Sequence, residues 1–250
     1  MLTPHIDGSR TIKCEMGNLT PGMVSQMTIR RYAIKRHDKA NDTIRTELKY
    51  LHAACAWAAR EWKTSPLEFE MPVPPSPPRD RWLTKDEARR LLDAADSYHT
   101  SLFILLALMT AQRSIAICDL QWEQVDLERG LKNFGEDVGK KRRAIVPMNS
   151  QLQGAMEEAF ECATCEYVIE WAGKQVINPR KSVSRSAERA GLGKLGKHAL
   201  RHTAATWMVM DGRPDEETAR CLGTTVDVAR KVYGHHAPDF LKSAAKALEL

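Results

Sequence analysis

Apolar side chains recur at spacings of three and four between residues 44 and 58, at Ile44, Leu48, Leu51, Cys55 and Ala58. That period predicts an amphipathic helix opening after Asn41-Asp42. Upstream, Thr20 followed by Pro21 is a favoured helix start, and it predicts a helix running to about Arg36. Its basic positions are Arg30, Arg31, Lys35 and Arg36. Two such helices make a thin core. The pattern then breaks at Met71–Pro78, where five of eight residues are proline; such a run stops helix and sheet and favours extended chain. The reading is a short helical unit at 1–68, a linker at 69–81 and a larger unit at 82–250.

The larger unit opens on Thr84-Lys-Asp-Glu87, a capping box, followed by an apolar stripe of Leu91, Leu92 and Ala95. Leu102–Met109 is apolar throughout and reads as a buried helix. Residues 131–148 read as a β-hairpin, with Leu131 and Phe134 on one strand, Ala144-Ile145-Val146 on the other, and Gly139 near the turn. Helical periodicity resumes after it. The expected class is mainly α with a small antiparallel sheet. Trp57, Trp122, Trp171 and Trp207 read as core residues.

Composition narrows the function. The net charge is +5 and the pI about 8.9, so the placement of charge matters more than its sum. Cys14, Cys55, Cys118 and Cys221 are scattered singly, and Cys162 and Cys165 form one CxxC without a second ligand pair. Free thiols, with no metal site and no cofactor, are therefore expected. The polar N-terminus carries no secretory pattern, and no apolar run approaches the ~20 residues needed to span a bilayer. A cytoplasmic protein is expected.

Basic residues concentrate between Asn178 and His202: Arg180, Lys181, Arg185, Arg189, Lys194, Lys197 and Arg201 stand against the single acid Glu188. Such a run suits a phosphate backbone, although charge alone equally suits a solvated helix face. Within it, His198 and Arg201 lie three apart, on one helical face, where a guanidinium fork and an imidazole can grip one phosphate. Leu222-Gly223-Thr224 follows, and Tyr233 stands nine residues after Thr224. Upstream, Arg113 ends the apolar helix and precedes Asp119-Leu120-Gln121-Trp122. An Arg beside a buried run requires a partner or an open cleft.

Taken in order, these residues resemble the tyrosine recombinase (phage integrase) family over about residues 82–245, and more weakly upstream, where the chain resembles a shortened core-binding domain. The resemblance implies that Arg113 is the first Arg of that pattern, followed by Leu120 and Trp122. It implies that Lys140 or Lys141 is the hairpin Lys before Val146-Pro147, with Lys140 favoured because the family Lys lies toward the turn. His198 and Arg201 match the HxxR motif, Thr224 stands where the family carries His or Trp, and Tyr233 matches the nucleophile. The acid common three residues after the first Arg is Ala116 here. Asp119 is then a candidate for orienting Arg113.

The resemblance implies a DNA cleaving and rejoining enzyme working through a 3′-phosphotyrosine. Arg113 and Arg201 would hold the scissile phosphate, with Thr224 as a further hydroxyl donor. His198 would assist Tyr233, and the hairpin Lys would protonate the leaving 5′ oxygen. It also implies double-stranded DNA as partner, a tetramer in the synaptic complex, a C-terminal helix (Pro238–Leu248) docking on a neighbour, and a prokaryotic or phage nucleoid setting. Arg30, Arg31, Lys35, Arg36, Arg142, Arg143, Arg180, Lys181, Arg185 and Lys197 are the candidate backbone contacts. Two other readings share the residues: a type IB topoisomerase, which relaxes DNA without exchanging strands, and a DNA-binding phage remnant that has lost catalysis.

The basic clusters at 30–36 and 180–201 predict a steep loss of duplex DNA affinity between low and moderate salt, because each neutralised phosphate releases counterions. Anisotropy titrations across a salt series measure it; a flat dependence contradicts a backbone clamp.

Overall fold

The computed structural model describes residues 6–63, 65–76, 81–133 and 145–236. It separates into two compact units, Met1–Arg79 and Asp80–Leu250.

The first unit holds three helices: α1 (Ile6–Met16), α2 (Gln26–Lys35) and α3 (Asn41–Trp62). α1 was not expected. α2 begins later than Thr20-Pro21 predicts: Pro21–Met23 forms only a single 3-10 turn. The cap is Ser25, whose hydroxyl accepts from the Thr28 amide while the Thr28 hydroxyl answers the Ser25 amide. Gly22 weakens any helix started at Pro21, and a reciprocal cap at Ser25 outcompetes it. Ile12, Met16, Val24, Ile29, Tyr32, Ile44 and Leu48 form the core, covered by Leu67, Phe69, Met71 and Val73. The first part of the proline-rich stretch thus lies along α3, held where Arg45 Nη1 donates to the Val73 carbonyl at 2.7 Å and the Ser76 amide donates to Asp42 Oδ1 at 3.1 Å.

Beneath this surface, Glu47 is 4% exposed and accepts from Tyr32 Oη at 2.8 Å and from Arg36 Nη2 at 2.6 Å. One buried carboxylate therefore pins α2 to α3. Trp57 departs from the core expectation, being 56% exposed. It lies two residues beyond Cys55, about 200° around the helix from the apolar stripe, and so points away from the core.

In the second unit, α5 (Tyr98–Thr110) is apolar on every side and buried from Leu102 to Leu108. Around it pack α4 (Lys85–Asp93), α6 (Ser114–Cys118), α7 (Ser150–Glu161), α8 (Arg180–Arg189) and α9 (Lys197–Met210). The capping box at Thr84 and Glu87 forms as expected, and Arg81 pairs with Glu87. Val125–Asp126 (β1), Leu131–Asn133 (β2) and Ile145–Pro147 (β3) make an antiparallel sheet in the order β1-β2-β3, with Lys132 opposite Val146. The expected hairpin is present at these paired ends. Its remaining residues, with Gly139, Lys140, Lys141, Arg142 and Arg143, lie outside the described residues, as does Pro238–Leu248.

A second small hairpin, β4 (Glu170–Trp171) and β5 (Lys174–Gln175), carries Trp171. This residue also departs from the core expectation: it is 63% exposed, with the His99 ring tilted against it at 4.9 Å between ring centroids. A two-residue strand at the edge of a hairpin has no sheet face to bury it. Trp122 and Trp207 pack against the core. The chain closes with α10 (Asp215–Leu222) and α11 (Val226–Tyr233). Among the described residues, no helix is long and apolar enough to cross a membrane, and no cluster of three or more His, Cys, Asp or Glu side chains has metal-binding geometry.

Glu47→Ala would leave Arg36 and the Tyr32 hydroxyl without their shared acceptor. It should destabilise the first unit by about 3–5 kcal/mol, and Tyr32→Phe by about 1.5–3 kcal/mol. Urea denaturation measures both; a Glu47→Ala loss below ~1 kcal/mol, the scale of a surface pair, contradicts a pinning role.

Candidate functional site

The site begins with the ends of two helices. α5 stops at Ala111, a non-glycine residue in the left-handed region (φ 53°) that is 1% exposed. The backbone turns there, so Arg113 leaves the buried helix and becomes the N-cap of α6. α10 stops at Gly223, also left-handed (φ 57°), where the absent Cβ removes the steric cost. The Gly223 amide donates to the Arg220 carbonyl and the Thr224 amide to the Ala219 carbonyl, both at 3.0 Å, which is a Schellman closure. Those bonds occupy the carbonyls of Ala219 and Arg220. The next three, of Cys221, Leu222 and Gly223, take side-chain donors from elsewhere.

Two of the donors are the arginines singled out in the sequence. Arg201, on the second turn of α9, donates through Nη1 to the Ala111 carbonyl at 2.6 Å and through Nη2 to the Leu222 carbonyl at 2.7 Å. Arg113 Nη2 donates to the Gly223 carbonyl at 3.3 Å. Both guanidiniums sit at the negative ends of helix dipoles, which favour cations. They also repel each other. Burial and, after it, the charge of Arg113 push the Arg201 pKa down to about 10, while Tyr233 acts in the opposite direction. Arg201 stays cationic at neutral pH. Two part-buried like charges this close to each other can receive an anion.

Tyr233 ends α11, a helix capped by the Thr225 hydroxyl. It is 7% exposed, with its ring centroid 5.5 Å from that of His202. Burial raises its pKa, and the charge of Arg201 partly offsets the rise. His198 is exposed on the first turn of α9, one turn before Arg201 and on the same face. Thr224 is half-buried directly after Gly223. Four sequence-predicted positions on four segments (Arg113, Arg201, Thr224 and Tyr233) thus converge around the α5 and α10 termini, with His198 on the α9 turn beside them. Lys140 and Lys141 lie outside the described residues. Asp119 accepts from Gln175 Nε2 at 3.0 Å, and the Gly223 carbonyl accepts from Arg113.

The wider basic set divides by unit. Arg30, Arg31 and Lys35 are exposed on α2, with Lys35 paired to Glu15, whereas Arg36 is engaged by Glu47. Arg180, Lys181 and Arg185 are exposed on α8, and Lys197 opens α9. Arg189 is committed to Asp96 and to the Ala94 carbonyl. Two residues near the site escaped sequence reasoning. His202 contacts Tyr233; its signal was its place directly after the HxxR motif. Gln112, 2% exposed, donates through Nε2 to the Cys221 carbonyl at 2.6 Å; its only signal was a polar residue ending an apolar run.

Comparison with known proteins places this arrangement. The sequence profile of the Phage integrase family matches residues 81–239, and the chain belongs to that family. It is 28% identical over 220 residues to the integrase of Salmonella phage P22, covering 82% of this chain and 56% of the phage protein, so it spans little more than half of that relative. In fold it is similar to the integrase of transposon Tn1549 in complex with transposon right end DNA, with a TM-score of 0.80 at 15% identity over 96% of this chain and 90% of the other. It is likewise similar to a lambda integrase tetramer bound to a Holliday junction, with a TM-score of 0.72 at 17% identity over 91% and 69% of the two chains.

Proposed function

We propose that this chain is a site-specific DNA recombinase that cuts and rejoins DNA through a 3′-phosphotyrosine on Tyr233. The observation that carries the reading is the pair Arg113 and Arg201, fixed on helix carbonyls beside a buried tyrosine. A guanidinium carries five N–H donors, more than the two that Arg201 spends on carbonyls, and such a fork suits a phosphate. Phosphoryl transfer requires little beyond an aligned nucleophile and donors preset for the charge on the equatorial oxygens.

Burial keeps the Tyr233 hydroxyl protonated in the free protein. When a phosphate enters between the arginines, the Tyr233 oxygen attacks phosphorus, its proton passes to His198, and the bond from phosphorus to the 5′ oxygen breaks. The hairpin Lys140, or else Lys141, supplies a proton to that leaving oxygen. Thr224 offers a hydroxyl to a non-bridging oxygen. Rejoining is the reverse, with a 5′ hydroxyl attacking the phosphotyrosine; the covalent bond conserves the energy of the broken one, so the scheme uses no nucleotide or metal cofactor. The exposed bases of α2 and α8, with Arg142, Arg143 and Lys197, contact the duplex backbone, while Arg36 supports α2 through Glu47. The tetramer on a Holliday junction formed by lambda integrase supports four protomers acting on two sites, and a nucleoid setting follows from the DNA partner.

Thr224 and Ala116 favour one competing reading, a DNA-binding protein without catalysis. Tyr233→Phe separates the two. On a nicked suicide substrate the wild type should accumulate a covalent protein–DNA adduct and Tyr233→Phe none, with duplex affinity and melting temperature unchanged. A wild type that binds duplex and forms no adduct supports the silent binder; an adduct in the Phe variant refutes Tyr233 as nucleophile.

A further inference from the structure

We infer that Gln112 is a positioning residue for the two arginines, acting by bracing the carbonyl ends of α5 and α10 against each other; this rests on the recombinase reading above. The geometry is a register of three. Going along the end of α10, the carbonyls of Cys221, Leu222 and Gly223 accept in turn from Gln112, Arg201 and Arg113. Gln112 adds a second bond, from Nε2 to the Thr110 carbonyl at 3.1 Å, at the end of α5. The neighbouring Ala111 carbonyl accepts from Arg201. One amide thus ties together the two helix ends whose carbonyls hold the guanidiniums.

A tie is needed at this place. The arginines repel each other, and Arg201 forms no ion pair among the described residues. Their separation is set by carbonyls on two helices far apart in sequence. The Schellman closure orders α10 internally but says nothing about its distance from α5. Arg201 itself bridges the Ala111 and Leu222 carbonyls, and Gln112 holds the same two ends independently of any charged group, with both donors of its amide spent on backbone acceptors and the side chain sealed from water. Its side-chain hydrogen bonds among the described residues go to helix carbonyls. Its effect on catalysis would pass through the position of Arg113 and Arg201, where a shift of a fraction of an ångström degrades phosphate alignment.

The test uses the full chain and two variants. Gln112→Met keeps the length and volume of the side chain and removes both N–H donors. Gln112→Asn keeps an amide but shortens its reach by one methylene. Single-turnover adduct formation is measured at saturating suicide substrate, normalised to DNA-bound protein, together with duplex affinity and melting temperature. A second substrate carries a neutral methylphosphonate at the scissile position, where there is less charge for the arginines to stabilise. Both variants should form adduct roughly ten- to a hundred-fold more slowly on the phosphate substrate, with duplex affinity within about three-fold of wild type because other phosphate contacts dominate it. On the methylphosphonate their deficit relative to wild type should shrink. Wild-type rates in both variants, or an equal deficit on the two substrates, overturn the inference, the latter marking general damage to the fold. Absence of adduct in the wild type itself is a different result: it removes the recombinase reading, and the positioning role falls with it.

Discussion

A helix that ends inside a protein leaves carbonyl groups that water cannot reach. Here α5 and α10 both end beneath the surface, and their last carbonyls are satisfied by part-buried side-chain donors, chiefly the guanidiniums of Arg113 and Arg201. The arrangement solves two problems together. The carbonyls gain charge-assisted donors, and two like charges that would otherwise be costly to bury gain the negative ends of two helix dipoles. The left-handed residues Ala111 and Gly223 aim those carbonyls, and the apolar length of α5 holds the first of them in place. What is left over is positive potential beside Tyr233.

Ala116 is buried where an acid was to be expected, yet Arg113 is held by a backbone carbonyl. A carbonyl orients a guanidinium without itself carrying a full negative charge. Thr224 follows directly on the residue whose carbonyl Arg113 engages, which fixes its backbone through the Ala219 carbonyl even though its side chain is small.

Much of this was legible before any coordinates. The apolar run at Leu102–Met109, the capping box at Thr84 and the hairpin ends at residues 131 and 146 follow from local periodicity and local chemistry, and each formed. The order of Arg113, His198, Arg201, Thr224 and Tyr233 marks out the candidate site, because a motif spread across the chain constrains the fold more than its members do singly. The start of α2 was misplaced because two capping signals, Thr20-Pro21 and Ser25, compete within six residues and only packing and Gly22 decide between them. Trp57 and Trp171 were misread because hydrophobicity alone does not report which side of a helix or hairpin faces the core. Gln112 was invisible: its partner lies 109 residues away, and nothing local distinguishes a bracing amide from a solvated one.

The central claim is that the arginine pair exists to place one phosphate against Tyr233. Its most direct test is chemical identification of the linkage. Adduct trapped on a nicked duplex, digested with nuclease and trypsin, and sequenced by tandem mass spectrometry should carry a nucleotide remnant on the peptide containing Tyr233, joined through the phenolic oxygen to a 3′ phosphate. A remnant on any other residue, or a linkage to a 5′ phosphate, contradicts the account.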